Sequence, residues 1–140
     1  ALEAAIRERG VSNVMLQPLV PREQYLEMLA DTDVALITQQ AGSGAYFFPN
    51  KLLATLAAGN AVLSVADEES ELFRAIEKGH FGWNVLPGDA KGLADILLDV
   101  SRNSKDIEEK VRNGHIFVEA YEESHVLPAF EAVLKDIAEA

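Results

Sequence analysis

Asn50 and Lys51 follow directly on Pro49 in the stretch Phe48-Pro49-Asn50-Lys51-Leu52-Leu53-Ala54-Thr55-Leu56-Ala57-Ala58-Gly59, and residue types in this order could hold an anion. Pro49 suits the first position of a helix, where its missing N–H costs nothing. The next amides, on Asn50, Lys51 and Leu52, then point unpaired out of the helix end, and with the lysine cation they make a phosphate cradle. The loop before it, Gln39 to Phe47, contains Gly42, Ser43 and Gly44, whose glycines let backbone approach a ligand closely, and Tyr46, Phe47 and Phe48 stand at its exit. Gly59 ends the helix as a C-terminal glycine cap. The plainer reading of Pro-Asn-Lys is an ordinary helix start with a solvent-facing lysine. What separates this one is the long glycine loop that delivers it.

Other residues that could do chemistry are less well placed. Gly42-Ser43-Gly44 is not a Walker A loop, which needs its second glycine followed by Lys and Ser or Thr, and no dinucleotide fingerprint is present. An ordinary NTPase or NAD enzyme is therefore disfavoured. His80, His115 and His125 are too scattered for a local metal motif, with His80 read as a turn residue before a strand and the others on helical faces. The acidic run Asp67-Glu68-Glu69 reads as a solvated loop rather than a Mg²⁺ site, because no second cluster accompanies it. Trp83 and Tyr121 read as packing aromatics. No Ser-His-Asp arrangement follows from spacing. No metal and no cofactor is expected.

The elements that must position the cradle alternate. Val14-Met15-Leu16, Val34 to Ile37, Ala61 to Val65 and Phe81 to Leu86 are short runs apolar on both faces, as strands of a covered parallel sheet are. Pro21 opens a helix over Arg22 to Asp31, with Tyr25, Leu26 and Leu29 inward. Pro49 opens the next, to Ala58. Ser70 caps Glu71 to Lys78, which Gly79 stops. This is βαβαβαβ, an α/β chain with a Rossmann-like parallel sheet and helices on both faces. Three further helical patterns close it, with Leu93, Ile96, Leu97 and Val100, then Ile107, Val111, Val118 and Tyr121, then Val126, Leu127, Phe130, Val133, Leu134 and Ile137 as their apolar stripes. Those stripes are expected to pack on a sheet face, part of the last one remaining as an interface. Ligands of such sheets lie outside the carboxyl ends of the strands. That names the loops Gln17 to Val20, Gln39 to Phe48, Ala66 to Glu69 and Pro87 to Asp89, of which the second is much the longest.

A chain of 140 residues suffices for one domain with a real core. With 23 acidic and 12 basic residues its formal charge is −11, so it repels polyanions, and neither a nucleic-acid face nor a basic membrane-surface helix is expected. It has no cysteine, which excludes disulfides and thiolate chemistry. No run approaches a membrane span and no signal peptide opens the chain, so a cytoplasmic protein is expected. The chain begins at Ala1 inside an amphipathic pattern, which reads as a piece of something longer.

Taken in order, Asn13 to Val20, Asp31-Thr32-Asp33-Val34-Ala35-Leu36, Pro49-Asn50-Lys51-Leu52-Leu53 through Ala61-Val62, and Gly82 to Asp89 with Leu93-Ala94 resemble the C-terminal domain of group 1 glycosyltransferases of GT-B fold. The resemblance covers nearly the whole chain and looks closest to members acting in exopolysaccharide or lipopolysaccharide assembly. It implies a hexosyltransferase-type reaction, in which a sugar passes from a nucleotide-diphosphate donor to an acceptor hydroxyl, with retention and without an essential metal. It also implies that Asn50, Lys51 and Leu52 hold the donor diphosphate. Gly42, Ser43, Gly44 and Tyr46 would approach the sugar and phosphates, and Gln17, Pro18, Leu19 and Val20 would meet the nucleobase. The acceptor, a glycan or lipid-linked glycan, would come through a separate N-terminal domain, and any membrane contact would not run through this chain.

Two departures accompany the resemblance. The family's usual pair of glutamates, with seven residues between them, falls on Tyr46 and Ala54, neither of which can serve. The family's first strand, glycine loop and basic pair do not lie upstream of Ala1, so the isolated chain is expected to be inactive. The alternative is a glycosyltransferase-like module without catalysis, used for binding or assembly. A phosphoacceptor receiver domain is disfavoured, because Val34 to Ile37 runs into Thr38-Gln39-Gln40 where an aspartate would be needed.

Overall fold

Three of the four runs that are apolar on both faces become strands here, and the amphipathic runs between and after them become helices. The structure is a computed structural model describing residues 2–44 and 47–138. Its elements are α1 (Leu2–Glu8), α2 (Arg22–Ala30), β1 (Val34–Thr38), α3 (Lys51–Ala57), β2 (Ala61–Val65), α4 (Glu71–Gly79), β3 (Gly82–Val85), α5 (Ala90–Val100), α6 (Ser104–Glu119) and α7 (Glu123–Ala138). The strands form one parallel sheet in the order β1-β2-β3. Leu36, Leu63 and Trp83 stand in register on one face. The other face meets α3 and α4 in a core of Ile37, Val62 and Ala66 with Leu52, Leu56, Leu72, Ala75, Ile76 and Phe81. Leu52, Leu56, Leu72 and Phe81 are fully buried, and each such side chain contributes about 1.5–3 kcal/mol of apolar transfer. This is a mixed α/β fold, a parallel sheet flanked by helices with further helices at its C-terminal end, consistent with a Rossmann-like half.

The run Val14-Met15-Leu16, read as a first strand, forms none; all three residues are exposed. A strand exists through its ladder, and a run this short between helix α1 and two prolines, Pro18 and Pro21, has no described strand beside it. As a result β1 is an edge strand with Leu36 54% exposed, and the strand order does not reverse within the described sheet.

Helix ends follow local chemistry. Gly59, at φ 85°, closes α3 in a Schellman arrangement, in which its N–H donates to the Leu56 carbonyl and that of Asn60 to the Thr55 carbonyl. The buried Asn60 amide then donates to the carbonyls of Leu29 and Thr32, tying the end of α2 to the start of β2. At α4 the left-handed residue is His80, at φ 51°, rather than Gly79. Gly79 serves packing instead, since a Cβ there would lie 2.5 Å from the Phe81 ring and 2.8 Å from that of Phe117.

The closing helices behave differently from one another. α6 runs past the amino ends of the strands and packs through Gly114, where a Cβ would come 2.9 Å from Leu56 and 3.5 Å from Phe81. Its Asn113 donates to the His80 carbonyl at 3.1 Å, and Phe117 stacks between Phe81 and Tyr121. α7, expected to pack as well, buries none of its residues. No helix among the described residues is long and apolar enough to cross a membrane.

Candidate functional site

β1 ends at Thr38, and the chain must travel from there to the start of α3; the space it leaves is a cavity of about 390 Å³ lined by Leu36, Ile37, Thr38, Phe47, Pro49, Asn50 and Lys51. That volume lies in the range of about 300–1,000 Å³ usual for ligand clefts. Among the described residues its lining holds one cation, Lys51, and no carboxylate. Lys51 is exposed and forms no ion pair among the described residues. Asn50 has helical backbone angles, φ −57° and ψ −25°, and its side chain makes no capping bond. Both are therefore available to a ligand. Leu52 is not: its side chain is fully buried and its N–H donates to the Pro49 carbonyl at 3.0 Å.

The loop that frames the cavity is fastened at three points. At its base the Gln39 amide donates to the Phe47 carbonyl at 2.8 Å. At its tip Gly42, at φ 78°, turns the chain, and its N–H donates to Asp67 Oδ2 at 2.6 Å; a second residue there, Ser43, closes the turn on the Gln40 carbonyl. Beyond the tip the Glu71 N–H donates to the Gly44 carbonyl at 3.4 Å, and Gly44 sits so close that a Cβ would collide with Ser70. Gly42, Ser43 and Gly44 thus lie against the start of α4 and do not line the cavity. Tyr46 lies outside the described residues.

The other loops at this end are occupied with structure. Ser70 caps α4 through its hydroxyl, which accepts from the Phe73 N–H at 3.0 Å, while Asp89 accepts from the Gly92 N–H at 2.8 Å to cap α5. Gln17, Pro18 and Leu19 are exposed and Val20 half-buried, and none lines the cavity over Lys51. Sequence reasoning took Asp67 for a solvated acid and missed its bond to Gly42. The available signal was an acidic residue directly after a strand, beside a strand-end glycine loop.

Two larger hollows, of about 460 and 410 Å³, lie along α6. One contains Asp33 and Glu108 against Arg112, and the other Asp99 and Asp106 against Arg102, so carboxylates outnumber cations in both. An anionic ligand is better served at the cavity over Lys51. The histidines stay apart from it: His80 is the α4 cap, His115 lies near Gly59, and His125 neighbours Ser124. Among the described residues no three His, Asp or Glu side chains gather to hold a metal.

No protein-family model matches the chain. Over 72 residues, 51% of this chain, it is 33% identical to a probable glycosyltransferase, WbjE, of Pseudomonas aeruginosa. The matched stretch is 18% of that protein's length, so this chain corresponds to a fraction of it. The similarity, joined to the parallel sheet and a cleft at a strand's carboxyl end, supports a glycosyltransferase-like domain.

Proposed function

We propose that this chain is the donor-binding part of a glycosyltransferase, a hexosyltransferase-type enzyme resembling the group 1 family of GT-B fold. The reaction moves a sugar from a nucleoside-diphosphate donor to an acceptor hydroxyl, with retention. Its setting is cytoplasmic synthesis of a cell-surface polysaccharide or glycolipid, with the acceptor glycan presented by an N-terminal domain. The observation that carries this reading is the cavity over Lys51, which joins a cation and the Asn50 side chain at the carboxyl end of β1 in a chain similar to a glycosyltransferase. Lys51 gains nothing for stability where it stands, because a cation at a helix N-terminus opposes the helix dipole. An anionic ligand reverses that cost.

The chemistry asks for such a group. As the glycosidic bond breaks, the departing nucleoside diphosphate gains negative charge, and a fixed cation with oriented donors stabilises that charge more than the ground state. Lys51 and the Asn50 side chain supply both without a metal. Calorimetric titration with UDP, GDP, ADP and their sugar conjugates tests the reading. One diphosphate should bind, and Lys51→Ala should weaken it by about tenfold, the loss of one charge-assisted contact. Silence at millimolar ligand would overturn it.

A second reading, a binding or assembly module without catalysis, is favoured by Ala54. It is exposed on α3, one turn beyond Lys51, and presents a methyl group where the family carries a ribose-holding glutamate. Inorganic pyrophosphate separates the two readings. A donor site that grips ribose by other means binds the nucleoside diphosphate more tightly than pyrophosphate, whereas a degenerate site binds both alike.

A further inference from the structure

Asp67 follows β2 directly after Ala66, at the head of an acidic run. It stands at the same end of the sheet as the cavity over Lys51 without lining it. Its carboxylate is engaged: Oδ2 accepts the Gly42 N–H at 2.6 Å, a contact that spans 25 residues of sequence and joins the loop after β1 to the loop after β2. Among the loop's described residues the bond arrives where the backbone is left-handed, at Gly42 with φ 78°. Two residues on, the Gly44 carbonyl accepts from the Glu71 N–H, and the glycine's bare Cα rests against Ser70. The Gly42–Gly44 stretch is therefore held towards α4 by Asp67, Ser70 and Glu71, while among the described residues of the loop's far end Phe47 and Pro49 line the cavity over Lys51.

We propose that Asp67 is a positioning residue: its carboxylate latches the Gly42–Gly44 loop onto the start of α4 and so keeps the cavity over Lys51 in the shape that admits a nucleoside diphosphate. The second half of this statement rests on the donor-site reading above; the first does not. The latch needs an acceptor at Oδ2, and it does not need the charge. This sets apart Asp67→Asn, which keeps an acceptor oxygen in place, from Asp67→Ala, which removes it.

The test has two readouts on the whole chain. In the unliganded protein, the amide resonances and hydrogen exchange of Gly42, Ser43 and Gly44 should shift in Asp67→Ala and stay near wild type in Asp67→Asn and in Glu68→Ala. With UDP, GDP and ADP as probes, Asp67→Ala should bind the preferred diphosphate about three- to tenfold more weakly, the lower end reflecting competition from water at an exposed bond. Asp67→Asn should bind as wild type or slightly tighter, having lost a repelling charge. Unmoved loop amides in Asp67→Ala would overturn the proposal, as would unchanged or tighter binding by that variant. Asp67→Asn behaving like Asp67→Ala would overturn it too, by making charge rather than the acceptor the cause. Loop shifts as described, in a protein whose wild type binds no diphosphate, would uphold the latch and overturn the donor-site reading.

Discussion

Two strand-to-helix joints lie side by side at the carboxyl end of the sheet, one from β1 to α3 and the other from β2 to α4, and they treat their helix starts in opposite ways. The β2–α4 joint runs from Ala66 to Ser70, and its groups are consumed. Ser70 caps Phe73, the Glu71 N–H meets the Gly44 carbonyl, and Asp67 holds Gly42. The β1–α3 joint is longer and ends on Pro49 and Asn50, with no side-chain cap and with Lys51 unpaired among the described residues above a cavity. Equivalent places in one fold can thus be spent on stability or left available to a ligand. The difference lies in which joint lends its polar groups to the other.

Substituting Gly44 breaks the comparison most directly. A Cβ there would collide with Ser70 Cβ and lie 3.1 Å from its Cα, so Gly44→Val must push the loop off α4. Overpacking of this kind costs about 1–3 kcal/mol, visible as a lower denaturation midpoint. Lys51→Ala comes next, with a tenfold loss of diphosphate binding, worth about 1.4 kcal/mol, and no loss of melting temperature. A fall in Tm would mean that Lys51 serves the fold after all. Ser70→Ala follows, costing about 1 kcal/mol of stability through the lost cap. It keeps the Cβ on which Gly44 rests, so diphosphate binding should not change; a parallel fall in binding would mean that the Ser70 cap, and not only the Asp67 latch, shapes the cavity over Lys51.

The β2–α4 joint was the more legible of the two in sequence, because capping is local. Ser70 ahead of Glu71 announces a helix within a few residues, and its hydroxyl is found on Phe73 as such a cap should be. Gly59 marked the end of α3 for the same reason, whereas Pro49, read as the first helical residue, stands two places before Lys51, where α3 begins behind the Asn50 cap position. The bond between Asp67 and Gly42 was only hinted at by an acid and a glycine loop at strand ends, since a contact across 25 residues depends on which loops the sheet brings together. Val14-Met15-Leu16 failed as a strand on the same ground: its composition fits a strand, but a strand also needs a neighbour to complete its ladder. α7 repeats the lesson for helices. Its stripe of Val126, Leu127, Phe130, Val133, Leu134 and Ile137 is as regular as any in the chain, yet Phe130 is 61% exposed. α6 packs because Gly114 lets it close on Leu56 and Phe81, a fit that periodicity does not encode.

The smallest expected effect is the sharpest check on the contrast between the joints. Asn50 is a residue type that often caps helices, and at an ordinary cap its replacement by alanine would cost about 1 kcal/mol, as at Ser70. Here its backbone is already helical and its side chain makes no capping bond. Asn50→Ala should therefore change stability by no more than about 0.5 kcal/mol, the range of surface substitutions without a specific partner. If its amide instead faces the ligand, the same variant should weaken diphosphate binding by a few-fold, in the manner of a neutral hydrogen bond. A full capping loss with unchanged binding would reverse the assignment, making the β1–α3 joint as structural as its neighbour and leaving Lys51 alone to hold the anion.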